Sequence, residues 1–409
     1  MSGTSKVVAL FPWGDVVEEF LDPIGLRLKD FVEHMAGGWL FGYAAALRLA
    51  EYTPIIVCAS ERVSCITRRH HAATGTPIWV VPGKRARKDG SHAAYSLRRW
   101  RATPLAGFRE VLASTACEAI LAQEYEYTRF DALALLAWRM GVPFYATFQG
   151  GDRTLSWIEG IARQASLRAC SGLIVASAAE RDRLSHAYPR IRLNVVDIPN
   201  PIEAQEWHAL DRQEARVALG LPADSFIVIN HGRIDIRRKG LDVLLQAWAA
   251  FADDVQAKLV IIGSGQDREP FAELLRKSEL SNVLWLSDYT TDRTMLRRWL
   301  SAADTYVTAS RTEGMPVAPL EAMACGLPIV ASNAQGLPDI LADDEASGGL
   351  LVRKEAPQEI ARSLRRLRDN AELRHRLGLA ARHRIEQKFS LHAVGAALEA
   401  LLSAGSRHA

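Results

Sequence analysis

Residues 309–332 read ASRTEGMPVAPLEAMACGLPIVAS: a turn, a helix and a strand in quick succession. A strand, Asp304 to Ser310, leads into it, and Arg311 to Pro316 make a tight polar turn. Pro316 suits the first helical position, since its missing N–H would have had no intrahelical partner. The helix is expected to run to about Cys325, with Gly326 as its stop and LPIVAS as the next strand. A helix start at the carboxyl end of a parallel strand is where an open α/β sheet binds ligands. Its free amides and dipole favour an anion, typically phosphate. Glu313 lies in the turn and Glu321 inside the helix. With phosphate at the helix tip, Glu321 can accept from a pair of ribose hydroxyls and Glu313 can reach the group beyond the diphosphate. That pattern describes a nucleotide sugar. The stretch alone leaves open a plainer role, since a glutamate in an early helical turn is often only a dipole partner.

Working outward, the C-terminal half repeats the theme. The strand Phe226–Asn230 runs into the turn from His231 to Gly240, which carries Arg233 and Lys239, and the helix Leu241–Phe251 follows. Arginine offers phosphate a planar fork and lysine a mobile point charge, so the two suit a diphosphate leaving group. The alternative is an exposed basic turn, as Arg237 and Arg238 suggest. A strand from Lys258 to Ile262 ends in Gly263-Ser264-Gly265. Another, Val283–Leu286, ends in Ser287-Asp288-Tyr289, where base readers are expected to be backbone groups. Four successive strand ends thus carry polar, glycine or charged clusters on one edge of a sheet.

The N-terminal half alternates short apolar strands with helices, the pattern of a parallel sheet covered on both faces. Expected strands are Lys6–Trp13, Pro54–Ala59, Pro77–Val81, Ala119–Gln123, Val142–Phe148, Leu173–Ala176 and Leu193–Ile198. Ala36-Gly37-Gly38 precedes an apolar helix from Trp39 to Ala50. Paired glycines there permit close approach of a ligand, or form a plain loop. From Gly83 to Arg101 the chain reads as a basic loop with Lys84, Arg85, Arg87, Lys88, Arg98, Arg99 and Arg101. It is either a solvated loop or a dock for an anionic acceptor or a membrane surface. The strand from Val142 ends in Gln149-Gly150-Gly151-Asp152, a polar, glycine-rich turn in which Asp152 can equally be a helix N-cap. Pro199-Asn200-Pro201 cannot continue a helix or a central strand and is read as a linker. The expected division is residues 1–199, residues 200–388 and a last segment, 389–409.

Composition narrows the classes. The 409 residues include 50 basic and 47 acidic side chains, a net charge of +3 that argues against a dedicated nucleic-acid binder. The five cysteines, Cys58, Cys65, Cys117, Cys170 and Cys325, are odd in number and scattered, so a disulfide framework or a zinc site is not expected and a reducing cytoplasm fits. No signal peptide and no bilayer-spanning apolar run are read, which leaves a cytoplasmic protein, peripheral at the membrane if residues 84–101 dock there.

Taken together, these motifs resemble those of the retaining glycosyltransferases of family 4, which have the GT-B architecture. The matching residues are Gly232-Arg233 with Lys239-Gly240, Gly263-Ser264-Gly265, Ser301 to Asp304, and Glu313 with the run from Glu321 to Pro328. The likeness is strong over about residues 230–332 and looser elsewhere, where Gly37-Gly38 and the linker Pro199-Asn200-Pro201 also fit. The resemblance implies two Rossmann-like α/β domains with parallel sheets facing across a cleft, the donor held mainly by the C-terminal one, and a last helix within 389–409, roughly Leu391 to Leu402, that crosses back to the N-terminal domain. Arg233 and Lys239 would hold the diphosphate, Glu313 the donor sugar and Glu321 the ribose. Gly37, Gly38, Gly232, Gly263, Tyr289, Gly314, Met315, Pro316 and Val317 would complete the donor site. One departure stands out: Gln149 occupies the turn position where many members have a histidine. Glutamine cannot take a proton, so Gln149 is expected to hold a sugar hydroxyl, with Gly150, Gly151 and Asp152 on the acceptor or sugar side. The chain's eleven histidines lie elsewhere, none in an equally suggestive place. The implied reaction is retaining, metal-independent transfer from a nucleotide sugar, a UDP- or GDP-sugar being expected, to a small-molecule, glycan or lipid-linked acceptor. No further cofactor and no nucleic-acid partner are expected. A GT-B protein that binds without catalysis and a nucleotide-sugar epimerase remain as alternatives.

Overall fold

The computed structural model describes residues 6–22, 25–33, 35, 38–87, 89–149, 154–251, 256–288 and 292–405, with positions 38 and 39 as backbone only. The chain divides into two units, one of Met1–Pro201 with Leu391–Ala409 and one of Ile202–Ser390.

In the first unit the strands are β1 (Val7–Phe11), β2 (Thr53–Ser60), β3 (Thr67–His70), β4 (Pro77–Pro82), β5 (Cys117–Ala122), β6 (Phe144–Thr147), β7 (Gly172–Val175) and β8 (Val195–Asp197). They form one sheet in the order β3-β4-β2-β1-β5-β6-β7-β8. Alternate residues of a strand face opposite sides, and here both sides are core. Val8 and Leu10 join one buried cluster, Ala9 and Phe11 the other. That is why the strands read as continuous apolar runs. The helices Gly38–Leu49 and Leu391–Gly405 cover the first face, and Phe108 and Phe130 on the helices Leu105–Ser114 and Arg129–Met140 cover the second.

Two readings of this half need correction. The sheet is not wholly parallel, because β3 pairs antiparallel with β4 at the edge. Its sequence, TRRH, is mostly exposed and has no apolar alternation to announce a strand. The basic segment is also only partly a loop. Residues His92–Ala102 form a helix whose first turn is capped by Ser91, which accepts from the Ala94 amide. Arg99 points inward. It pairs with Glu19 at 2.8 Å and stacks 4.1 Å from the Tyr127 ring centre. Trp100 donates to the Thr128 carbonyl at 2.9 Å. Arg98 donates to the Arg87 carbonyl and pairs with Asp89. Of the named cations here, Lys84, Arg85, Arg87 and Arg101 are the exposed ones, and Lys88 lies outside the described residues.

The second unit holds β9 (Phe226–His231), β10 (Ala257–Ile262), β11 (Val283–Leu286), β12 (Thr305–Thr308), β13 (Ile329–Ser332) and β14 (Gly349–Val352). All pair in parallel, in the order β11-β10-β9-β12-β13-β14. Val228, Leu259, Ile261, Val307 and Val330 pack on the helices Leu241–Phe251 and Pro357–Asp369. Asp304 is buried and structural. Its carboxylate takes Arg216 at 2.7 Å, Arg212 at 3.1 Å and the Ile227 amide at 2.8 Å. The strand order reverses between β9 and β12, so their carboxyl ends open side by side, which is where such sheets bind ligands. Among the described residues no helix is long and apolar enough to cross a membrane.

Candidate functional site

The turns that follow β9, β10 and β12 interlock through glycine. Ile262 pairs with His231 in register, so Gly232 and Gly263 leave their strands together. A Cβ on Gly263, whose φ is +140°, would lie 2.0 Å from the Gly232 carbonyl oxygen. The glycine is needed because the two turns touch through their backbones. Gly240 does the same at the end of the short helix Ile236–Lys239. Its φ is +59°, and a Cβ there would meet the Ala309 carbonyl oxygen at 2.1 Å. The turn carrying Lys239 is thereby seated against the end of β12.

That seating brings Lys239 to Glu313, with Nζ 2.6 Å from Oε1. Ser310 Oγ donates to the same oxygen at 2.6 Å and lies 3.0 Å from Thr308 Oγ1. Glu313 is buried, and Lys239 and Ser310 both meet its Oε1. Arg311 ties the two turns together. Its amide donates to the Arg238 carbonyl at 2.9 Å and its Nη1 to that of Arg237 at 3.0 Å. Its fork grips Asp242 at 2.7 and 2.8 Å and also pairs with Glu355. Burial pushes the Asp242 carboxyl up, but the Arg311 hydrogen bonds and charge bring it net below its ordinary value. The Glu355 carboxyl is lowered by its hydrogen bond to Arg311.

The helix Val317–Ala324 begins one residue later than expected: Pro316 is the cap, at φ −70° and ψ 131°, not the first helical residue. Gly314, Met315 and Pro316 are buried beneath this tip. One turn on, Glu321 Oε2 lies 2.8 Å from His231 Nε2. The expectation that none of the histidines stands in a suggestive place is therefore corrected, since His231 ends β9 and meets a site glutamate directly. Its signal was present in the order His231-Gly232-Arg233 at a strand end, but its partner stands far along the chain.

Arg233 is exposed after Gly232 and has no ion pair among the described residues. Ser287 accepts from Arg268 at 3.3 Å, and Tyr289 lies outside the described residues. In the first unit Gln149 sits in an amide network at the end of β6. Its Nε2 donates to Thr147 Oγ1 at 3.0 Å and Asn200 Oδ1 at 3.2 Å, and its Oε1 accepts from Asn200 at 3.2 Å. Glu124, at a φ of +143°, accepts from the amides of Gln149 and Glu126 at 3.0 and 2.9 Å. Gly37, Gly150, Gly151 and Asp152 lie outside the described residues, and Gly38 begins its helix. No cluster of three or more metal-ligating side chains occurs among the described residues.

The span holding Arg233, Lys239, Glu313 and Glu321 also matches a known family. Residues 211–384 fit the sequence model of the glycosyl transferases group 1. These residues belong to that family. Curated proteins are also similar to this chain. Alpha-maltose-1-phosphate synthase of Mycobacterium tuberculosis is 32% identical over 257 residues, which cover 59% of this chain and 64% of that protein. The D-inositol 3-phosphate glycosyltransferase of Streptomyces avermitilis is 32% identical over 226 residues, covering 53% of this chain and 48% of that protein. The matches thus span less than two thirds of these relatives. Solved structures agree over the whole chain. Sucrose-phosphate synthase from Thermosynechococcus elongatus superposes with a TM-score of 0.74 at 19% identity, covering 99% of this chain and all of that one. Anabaena HepE in complex with UDP gives 0.73 at 16%, covering 98% of this chain and 100% of the other. The fold around the group 1 region is therefore that of the GT-B glycosyltransferases.

Proposed function

We propose that the protein is a retaining, metal-independent glycosyltransferase that moves a sugar from a nucleotide-sugar donor to a hydroxyl acceptor. The observation that carries this reading is the convergence of Lys239 and Glu313 at the switch point of the second sheet, 2.6 Å apart beside the tip of the helix bearing Glu321. Arg233 and Lys239 hold the diphosphate, together with the amides of Met315 and Val317 and the bare backbone of Gly232, Gly263 and Gly314. Glu321 takes the ribose hydroxyls, and Glu313 takes the sugar with the oxygen that neither Lys239 nor Ser310 occupies. In the reaction the bond from the anomeric carbon to the phosphate oxygen breaks. A bond to the acceptor oxygen forms on the same face, and the acceptor's proton passes to the departing phosphate. Fixed cations stabilise the negative charge that develops there, the work a metal does in other transferases.

Gln149 is proposed as a ligand for a sugar or acceptor hydroxyl, oriented by Asn200 and Thr147. Gly37 and Gly38 are assigned to the donor, and Gly150, Gly151 and Asp152 to the acceptor side. A UDP- or GDP-sugar is the donor of choice, a reading supported by a related fold solved with UDP and with UDP-glucose. The acceptor is a small molecule, a glycan or a lipid-linked sugar, presented in the cytoplasm. The exposed cations Lys84, Arg85, Arg87 and Arg101 are the side chains of the basic segment left to meet an anionic acceptor or a membrane surface.

The test is release of nucleoside diphosphate from UDP- and GDP-sugars in EDTA without acceptor. Slow hydrolysis is expected, and proton NMR of the first-formed sugar should show the donor's anomeric configuration. No release from any donor sinks the reading, and an inverted product removes its stereochemistry.

A further inference from the structure

His231 ends β9 and its ring is set by the neighbouring strand. The Tyr306 hydroxyl donates to the His231 carbonyl at 3.2 Å, and the two rings meet edge to face with centres 5.4 Å apart. The His231 side chain is 6% exposed. Its Nε2 lies 2.8 Å from Glu321 Oε2, so Nε2 carries the hydrogen and donates it. Its Nδ1 is buried and meets no protein partner among the described residues. A histidine kept only as a strut would use both nitrogens, because a buried polar atom without a partner is costly. This one gives up Nδ1 and keeps Glu321. Glu321 needs such a hold. It lies on the eight-residue helix Val317–Ala324, its side chain is 16% exposed, and His231 is the hydrogen-bond partner its carboxylate has among the described residues. A glutamate has three rotatable bonds, and ordering it at the moment of binding would cost affinity.

We propose that His231 is the positioning residue of the ribose subsite: by holding one oxygen of Glu321 it presents the other to the ribose hydroxyls, and so sets the discrimination between ribo- and deoxyribonucleotides. The proposal rests on the reading of Glu321 as the ribose ligand and extends it to a residue outside the motif.

The experiment titrates the purified protein by calorimetry with whichever of UDP, GDP and ADP it binds, and with the 2′-deoxy counterpart. Wild type should prefer the ribonucleotide by about tenfold or more, the scale of one hydrogen bond. His231→Phe should bring that ratio close to one by weakening the ribonucleotide alone. His231→Gln, whose side-chain amide can replace the Nε2 donor, should keep the ratio. Should His231→Phe fail to fold, His231→Asn carries the same test, since its shorter amide stands near Nδ1 and does not reach Glu321. Equal weakening of both nucleotides by His231→Phe or His231→Asn overturns the proposal and leaves a structural strut. Glu321→Ala separates the two layers. A ratio that collapses in Glu321→Ala but stays at the wild-type value in the His231 variants overturns the positioning role alone. A ratio unchanged in Glu321→Ala overturns the ribose reading and the positioning role with it.

Discussion

Lys239 Nζ lies 2.6 Å from Glu313 Oε1, and the lysine's turn and the glutamate's turn follow two strands that neighbour each other in the sheet. One partly exposed cation and one buried carboxylate thus neutralise each other at the edge where a diphosphate and its sugar are proposed to meet. Lys239→Ala removes the charge facing the phosphate and strips Glu313 of its counter-ion. A charge-assisted hydrogen bond contributes about 1.5–3 kcal/mol, so kcat/KM should fall by roughly one to two decades. Arg233→Ala should fall as far without loss of thermal stability, since Arg233 is exposed and unpaired among the described residues. Steady-state kinetics with melting curves check both, and a Lys239→Ala protein with unchanged kcat/KM would show that the pair is only structural.

Arg311 makes a pH-dependent contribution to stability. The Asp242 and Glu355 carboxyls it grips are both held below their ordinary values. Groups with lowered folded pKa values stabilise the fold above their unfolded values, about 3.9 and 4.3, and that stability is lost as pH falls through the lowered ones. Arg311→Met should therefore lower Tm at pH 7, by an amount corresponding to about 1 kcal/mol since Glu355 is more than half exposed. The difference from wild type should shrink steadily below about pH 4. A gap between the two melting curves that is constant from pH 7 to pH 3 contradicts the clamp.

Asp304 separates folding from function. It is 6% exposed and pairs with Arg216, whose side chain is 5% exposed. Asp304→Ala leaves that arginine buried and uncompensated, which costs about 3–5 kcal/mol. Urea unfolding should record that loss, while the fraction that remains folded should bind nucleoside diphosphate as wild type does.

The basic segment now divides into packed and open cations. Arg99→Ser should destabilise the first unit, because it removes the Glu19 pair and the stacking on Tyr127. Replacing Lys84, Arg85, Arg87 and Arg101 with Ser should leave Tm and nucleotide affinity unchanged and raise the acceptor KM or reduce binding to anionic liposomes. If neither acceptor KM nor liposome binding moves, these side chains are simply solvated.

How much of this the chain announces depends on range. The helix Leu241–Phe251 is readable to the residue, because its apolar spacing starts after Gly240 and nothing distant alters it. The turns after β9, β10 and β12 are readable for the same reason, each being a local strand-to-helix junction rich in glycine or charge. Edge strand β3 is not, since TRRH buries almost nothing and owes its conformation to β4. Nor is the helix His92–Ala102. Its arginines look solvated until Glu19 and Tyr127, from elsewhere in the unit, turn Arg99 inward. Ser310, Arg311 and His231 escaped notice because their partners lie across a turn or on another strand. A hydroxyl in a strand, an arginine in a turn or a histidine before a glycine carries no local mark of the carboxylate it will hold.

The account turns on nucleoside diphosphate binding at the edge formed by Arg233, Lys239 and Glu321. The direct measurement is calorimetric titration of UDP, GDP, ADP and TDP in EDTA, into wild type and into the Arg233→Ala and Lys239→Ala variants. One nucleotide should bind wild type without metal, and each variant should bind it at least about tenfold more weakly at unchanged stoichiometry. No binding by any of the four, or equal affinity in wild type and both variants, contradicts it.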